Sequence, residues 1–412
     1  MALLAHTAAQ GTLDGATTSA VDTTGATNIL VHVASFGSAT EPTPTDSGGN
    51  VWRQLGVVTA HGVRVRTWYC LHPVTSATHT FSANQTGSYP AVAVQAHDGA
   101  TPFCDANTIS STGGTSDTSL AAGTVTPLSD DDLVVCAWGF AAATVPTGFS
   151  IDNGFTALGV LPNVSGQSFG IAHGYKYLSG GEGVALTPEA SWTGATGAAS
   201  SCAAFVTDNA RAFVRDTFTD TDATALQSHT GEEGATWTER TASNDVTISG
   251  NAAVAPATGG PVVYTASGTP SSAEYDVLGV VVPTAGSNRD LALLGRYADL
   301  DNFYMAQRES GSWRLIKNVA GSLTELSAAA ETVSAGIAYS VRLRLRDGAQ
   351  TLYVNGAVKA VGSDTDLTAA GLAGVRGSGI DLVLDYFQAE NVAGGGGGSG
   401  GPRRRRILLC GG

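Results

Sequence analysis

The chain has 412 residues, of which 42% are apolar and 14% charged, and it contains 53 glycines. That apolar share excludes wholesale disorder, and the shortage of Glu, Lys and Leu excludes a mainly helical protein. The net charge is −14, but residues 393–412 hold four arginines and no acids; the remainder has 17 basic against 35 acidic residues, or −18, which excludes nucleic-acid binding by the main domains.

Residues 1–209 contain a degenerate duplication. Asn28–Phe36 (NILVHVASF) matches Asp132–Phe140 (DLVVCAWGF), and Trp52–Val58 (WRQLGVV) matches Phe155–Leu161 (FTALGVL). Thr67–Leu71 is echoed by Gly174–Leu178, and Tyr89–Asp98 by Ala199–Asp208, in the same order. Each half, about 1–100 and 131–209, reads as four or so strands, with Val63, Val65 and Thr67 on one face and Arg64, Arg66 and Trp68 on the other. Four or five strands cannot bury both faces alone, so the two halves are expected to pack as one jelly-roll-like sandwich, with 100–131 as the crossover. Together with Asp46-Ser-Gly-Gly-Asn-Val-Trp52 and Ala77–Phe81, this pattern resembles a β-sandwich common in phage minor structural proteins.

A polar joint, Thr207–Ala212, leads to a second domain over 213–392. It opens with Phe213-Val-Arg-Asp-Thr-Phe-Thr-Asp220, continues through Leu291–Tyr304, Trp313–Lys317, Ser340–Arg346 and Thr351–Gly356, and closes on Asp385-Tyr-Phe-Gln-Ala-Glu390. These are short alternating strands broken by Asp, Asn and Gly turns. Their order resembles a concanavalin A-like lectin or glucanase jelly roll. The resemblance implies that the first and last strands pair, that Asp216, Asp220 and Asp385 lie near those paired ends, and that they are the set to test for a structural calcium. No other cofactor is expected. The fold class is therefore all-β: two tandem sandwiches, a glycine-rich linker at 393–401 and a basic, apolar peptide at 402–412.

The candidate chemistry is thin. Gly166-Gln-Ser-Phe-Gly170 spells G-x-S-x-G, but its flanks read as loop and strand, not the strand–turn–helix of a nucleophile elbow. Jelly-roll glucanases carry Glu-x-Asp-x-x-Glu on one strand; here Glu274-Tyr-Asp276-Val-Leu-Gly279 has glycine at the third position, which removes one of the two essential carboxylates. The eight histidines lack zinc-ligand spacing, and His32 and His97 read as solvent-face or satisfied core positions. Cys70, Cys136 and Cys202 sit in apolar runs and read as buried thiols, and together with Cys104 and Cys410 they form no secreted disulfide framework. Aromatic rings stack on pyranose faces, so the candidate glycan site is Tyr297, Asp299, Asp301, Asn302, Tyr304 and Trp313, with Trp68, Tyr69, Phe303 and Tyr353 as further platforms. Most such aromatics belong to cores, and at most two or three are expected to be exposed.

The terminal Arg403, Arg404, Arg405 and Arg406 with Ile407, Leu408 and Leu409 have two readings, a docking peptide for an acidic protein groove or a contact with nucleic acid or anionic lipid through four charges; the acidic body favours the protein partner. The N-terminus lacks the basic and long apolar parts of a signal peptide, and no run reaches the length of a membrane helix. The functional expectation is a non-enzymatic structural or adhesive virion protein of a bacteriophage, made in the host cytoplasm. It would sit in a tail, baseplate or head surface among other virion proteins as a homo-oligomer, and would present a jelly roll to host glycan or protein. The alternatives are a jelly-roll glycoside hydrolase and a bacterial carbohydrate-binding adhesin.

Overall fold

The computed structural model describes residues 1–392 except 12, 38–39, 130, 142–145, 162–168, 181, 208–210, 242–245, 256–260, 284–290, 310 and 378–382. The linker and docking peptide expected over 393–412 lie outside the described residues, as do Gly166, Gln167 and Ser168 of the G-x-S-x-G match. The regular secondary structure of the described residues is β-strand apart from one 3-10 turn at Leu226–Ser228.

The N-terminal half contributes β1 (Ala2–Gln10), β2 (Gly15–Thr17), β3 (Asn28–Phe36), β4 (Pro44–Asp46), β5 (Trp52–Ala60), β6 (Val63–Cys70), β7 (Phe81–Asn84) and β8 (Ala91–Asp98). There follow β9 (Ala100–Ser111), β10 (Asp117–Ala121), β11 (Asp132–Ala141), β12 (Thr147–Ile151), β13 (Thr156–Leu161), β14 (Phe169–Tyr177) and the long β15 (Glu189–Thr207). One main sheet has the order β1-β8-β3-β6-β5, and the other contains β9 beside β15-β11-β14-β13. The four matched sequence pairs form strands in equivalent places: β3 with β11, β5 with β13, β6 with β14 and β8 with β15. Residues 100–131 are thus more than a crossover, because β9 pairs with β15 as β1 pairs with β8.

The two main sheets face each other, but they do not make up the whole sandwich. Alternation sends Leu30, His32 and Ala34 toward the second sheet, while Ile29, Val31 and Val33 pack under a small sheet of order β2-β7-β4. In the second repeat Ala137 faces inward, and Val134, Cys136, Trp138 and Phe140 pack beneath β10, β12 and the first half of β15. Each repeat therefore covers its own outer face, and the halves meet through a layer in which apolar side chains such as Val65, Ile171 and Phe169 are mixed with small and polar ones. In that layer His32 bonds Thr67 at 2.9 Å and Gln95 at 3.1 Å, and His97 bonds Tyr177 at 2.7 Å. Both histidines are satisfied core residues, and burial depresses their pKa values to about 3. Cys70, Cys104, Cys136 and Cys202 are buried free thiols.

The C-terminal half contributes β16 (Ala212–Asp216), β17 (Trp237–Glu239), β18 (Thr247–Ile248), β19 (Ala253–Val254), β20 (Val262–Ala266), β21 (Tyr275–Val281), β22 (Leu291–Asp299) and β23 (Asn302–Glu309). It continues with β24 (Ser312–Val319), β25 (Ser322–Ala330), β26 (Tyr339–Arg346), β27 (Ala349–Val354), β28 (Ala357–Gly362), β29 (Leu372–Gly377) and β30 (Val383–Asn391). One sheet runs β18-β19-β30-β21-β26-β27-β28, with β16 also on β30; the other runs β17-β20-β29-β22-β23-β24-β25. The first and last strands pair, as the jelly-roll resemblance implies. Between the sheets lies one core that includes Trp237, Tyr264, Tyr275, Leu293, Tyr304, Trp313, Leu343 and Phe387.

Candidate functional site

The outer face of the β21/β26/β30 sheet is covered by the N-terminal half. Leu278, Val280, Val282 and Tyr386 pack with Leu30, Tyr69, Phe103, Leu133, Val135 and Phe205 in one continuous apolar cluster. Beside that cluster runs a buried ionic seam. In Ser340–Arg346 alternation points Val341, Leu343 and Leu345 into the core and Arg342, Arg344 and Arg346 outward. Arg342 donates to Asp105 at 2.6 Å, to Asp276 at 2.9 Å, and to the Leu128 carbonyl and the Ser129 hydroxyl at 2.8 Å each. Ser129 in turn donates to Glu390 at 3.1 Å, and Arg344 pairs with Glu182 at 2.9 Å. The Asn355-Gly356 turn sits against the same edge: a Cβ at Gly356 would lie 2.5 Å from the Asp105 carbonyl oxygen.

This seam sets the state of Asp276. Burial opposes its charge, but Arg342, Arg344 and Arg346 outweigh that and hold its carboxyl below the usual range. Burial likewise opposes the charge of Arg342, and Asp105, Asp276 and Glu390 outweigh it. The glucanase arrangement is absent on geometric grounds as well. Asp276 and Gly279 are three apart on a strand whose register is regular between them, so they face opposite sides. A Cβ at Gly279 would point into the core, 2.8 Å from Leu293 and 3.0 Å from Leu384.

The aromatic members of the expected glycan site are not platforms. Tyr304 and Trp313 are in the sandwich core, at 0% and 1% exposure, and the Tyr304 hydroxyl donates to Asp364. Tyr297 stacks on Phe303 with ring centroids 6.1 Å apart in a second buried cluster, under the Arg240 guanidinium. Asp299, Asp301 and Asn302 are at the surface but make a tight turn. Asp299 accepts from the Asp301 amide at 2.9 Å and the Asn302 side chain at 2.8 Å, and Asn302 accepts from the Ala320 amide. These six residues do not form one open surface. Trp68, Tyr69 and Phe303 are also buried, which leaves Tyr353 half-buried under Arg344.

The three carboxylates named for calcium are not brought together either. His229 lies between Asp216 and Asp220, with each of its ring nitrogens 2.9 Å from one carboxylate. Asp216 also accepts from Trp237 at 2.6 Å and the Phe218 amide at 2.6 Å, so its oxygens are engaged in the core. Asp385 stands apart, 3.7 Å from Arg53 across the joint. Among the described residues no group of three or more His, Cys, Asp or Glu side chains is gathered as a metal site requires.

Asp385 opens instead on a cleft between the two halves. The cleft consists of cavities of about 420 and 200 Å³ that share Leu71, His72, Val74 and Asn251 in their walls. Burial lifts the Asp385 carboxyl to about 6 against the opposing pull of Arg53, and it lowers His72 to about 4. Sequence reasoning missed this cleft because its walls come from segments scattered over some 350 residues; the acidic residue beside an aromatic at Asp385-Tyr386 was the one legible sign.

No protein-family model matches the chain, and no curated protein matches it. Solved structures do resemble it. A carbohydrate binding module, CBM66 from Bacillus subtilis, is 16% identical, with 37% of this chain and 94% of that one covered and a TM-score of 0.32. A Bacillus subtilis protein of unknown function with a galectin-like fold is 11% identical, with coverage of 44% and 96% and a TM-score of 0.34. Domain 4 of AbnA, an extracellular arabinanase from Geobacillus stearothermophilus solved with arabinotriose, is 15% identical, with coverage of 44% and 92% and a TM-score of 0.31. The all-β, jelly-roll sandwich description of this chain follows from the sheet orders given above. No helix among the described residues is long and apolar enough to cross a membrane.

Proposed function

We propose that the chain is a non-enzymatic structural and adhesive component of a bacteriophage particle, belonging to its tail, baseplate or head surface. It stands there in several copies, and its C-terminal jelly roll presents a binding surface for a host glycan. The peptide from Arg403 to Leu409 attaches it to other virion proteins. The observation that supports this reading is the joint. The sheet face on which a jelly-roll glucanase would carry its acids is occupied by the N-terminal half, and Asp276 is held there by three arginines. A face used in this way fixes two modules to each other, and Asp276 with glycine at 279 does not make the retaining pair of a jelly-roll glucanase.

Mass spectrometry of purified virions tests the location: the chain is expected among the structural proteins, and its absence counts against the reading. Deleting 394–412 is expected to leave the melting curve unchanged and to abolish incorporation into particles. Reducing-sugar release from a host glycan panel, lost on Asp276→Asn, would establish the hydrolase in its place.

A further inference from the structure

The cleft between the two halves is built as a ligand site, and its chemistry names the ligand. Asp385 is the extra residue of a bulge: Val280 and Val281 are neighbours on β21, but their partners on β30 are Tyr386 and Leu384. Bulges re-aim side chains and concentrate beside functional sites. Here the bulge turns Asp385 out of the alternating pattern into the cleft, where it is only 6% exposed and its Oδ2 accepts no hydrogen bond. Its ion-pair partner Arg53 is 3.7 Å away, beyond hydrogen-bond reach, and donates instead to the Gly336 carbonyl at 2.9 Å. Across the same cleft the Nε2 of His72 is buried without a hydrogen-bond partner. Buried polar atoms left unpaired destabilise the fold, and a molecule that pairs them recovers part of that cost.

We infer that this cleft binds a neutral, polyhydroxylated ligand of one to three sugar units. The site deepens the adhesive reading and rests on it, since it locates the glycan that the proposed function requires. Charge balance selects a neutral ligand. Arg53 and Arg215 line the cleft together with Asp385 and Glu232, so a phosphate or an ammonium would meet as much repulsion as attraction. His72 adds no charge near neutral pH because burial keeps it unprotonated. A sugar hydroxyl both donates and accepts, so it can donate to Asp385 Oδ2 and pair with either tautomer of His72. Leu71 and Val74 supply an apolar wall for the C–H face of a pyranose, and the larger cavity falls within the size range of small-molecule sites. Both halves contribute walls, so the site exists only in the joined molecule.

The test is titration of the full chain with glucose, galactose, mannose, N-acetylglucosamine and their neutral trisaccharides, followed by saturation-transfer NMR and calorimetry. Asp385→Asn removes the charged acceptor at constant shape. Asn251→Gly removes a cleft side chain at a position of φ +60°, where glycine keeps the backbone. Each variant is expected to weaken binding of the preferred saccharide tenfold or more, with a melting temperature no lower than that of the parent. Saccharide binding that neither variant changes would overturn the cleft assignment and leave the adhesive reading standing, with its surface elsewhere. Binding of inorganic phosphate in preference to every neutral sugar would overturn the ligand class. Failure of the whole panel to bind would overturn the saccharide site, while virion mass spectrometry independently decides the structural role.

Discussion

Arg342 and Asp105 are 237 positions apart in the chain, yet they meet at 2.6 Å across the joint with almost no solvent exposure. Asp276 and Glu390 lie within 4 Å of the same guanidinium, and Asp276 is also paired with Arg344 and Arg346. Arg342→Ala takes from Asp105 the cation it meets across the joint and leaves Asp276 to Arg344 and Arg346. The expected loss is about 3–5 kcal/mol, the usual cost of breaking a buried pair by removing one partner. Urea denaturation followed by tryptophan fluorescence measures it, and a loss under about 1 kcal/mol would show that the seam does not hold the halves together.

Asp385 makes stability depend on pH with a definite sign. Its folded pKa, about 6, is above the ordinary 3.8, so folding favours the protonated form. The penalty is full above pH 6 and disappears as pH falls toward 4. The difference between the two values corresponds to roughly 3 kcal/mol. Asp385→Asn is therefore expected to raise the melting temperature at pH 8 and to match the parent near pH 4. An equal effect at both pH values would contradict the assignment.

Putting the glucanase carboxylate back should fail as chemistry and cost stability. Gly279→Glu places a charge between Leu293 and Leu384 in the sandwich core. Even Gly279→Ala overpacks that site and is expected to cost about 1–3 kcal/mol. Neither variant should release reducing sugar, and release by Gly279→Glu would show that this strand can be turned into a catalytic face.

Trp313 provides a matching test of the aromatic residues. Because it is core, Trp313→Ala is expected to lose about 3–5 kcal/mol in chemical denaturation. Glycan affinity, measured below the melting temperature, should stay within twofold of the parent. A selective loss of binding at unchanged stability would restore Trp313 as a platform.

Much of the fold could be read from the residues. The paired phrases NILVHVASF and DLVVCAWGF became the central strands of two like-ordered sheets, and the acidic–aromatic ends at Phe213 and Asp385 became adjacent strands. The site could not be read in the same way. Alternation gives the phase of a strand but not which of its faces is covered, and here the β21/β26/β30 sheet is buried on both. Arg342, Arg344 and Arg346 carry the pattern of a solvated face, and only Asp105, Leu128 and Glu182 from the other half of the chain make it an interface. Tyr304 and Trp313 show the same ambiguity from the opposite side: their spacing suits a sugar platform and a core equally well.

The apolar cluster that joins the halves also limits how this molecule can be taken apart. Cut at 210, the C-terminal sandwich would carry Leu278, Val280 and Tyr386 bare on one face, beside a Glu390 that had lost the Ser129 hydroxyl and an Arg342 that had lost Asp105 and the Leu128 carbonyl. Such a piece would stick to copies of itself before it met any partner. A sandwich of this kind cannot be exchanged between proteins by recombination at the 207–212 joint alone; the donor of a new sandwich would also have to bring the surface that closes over it.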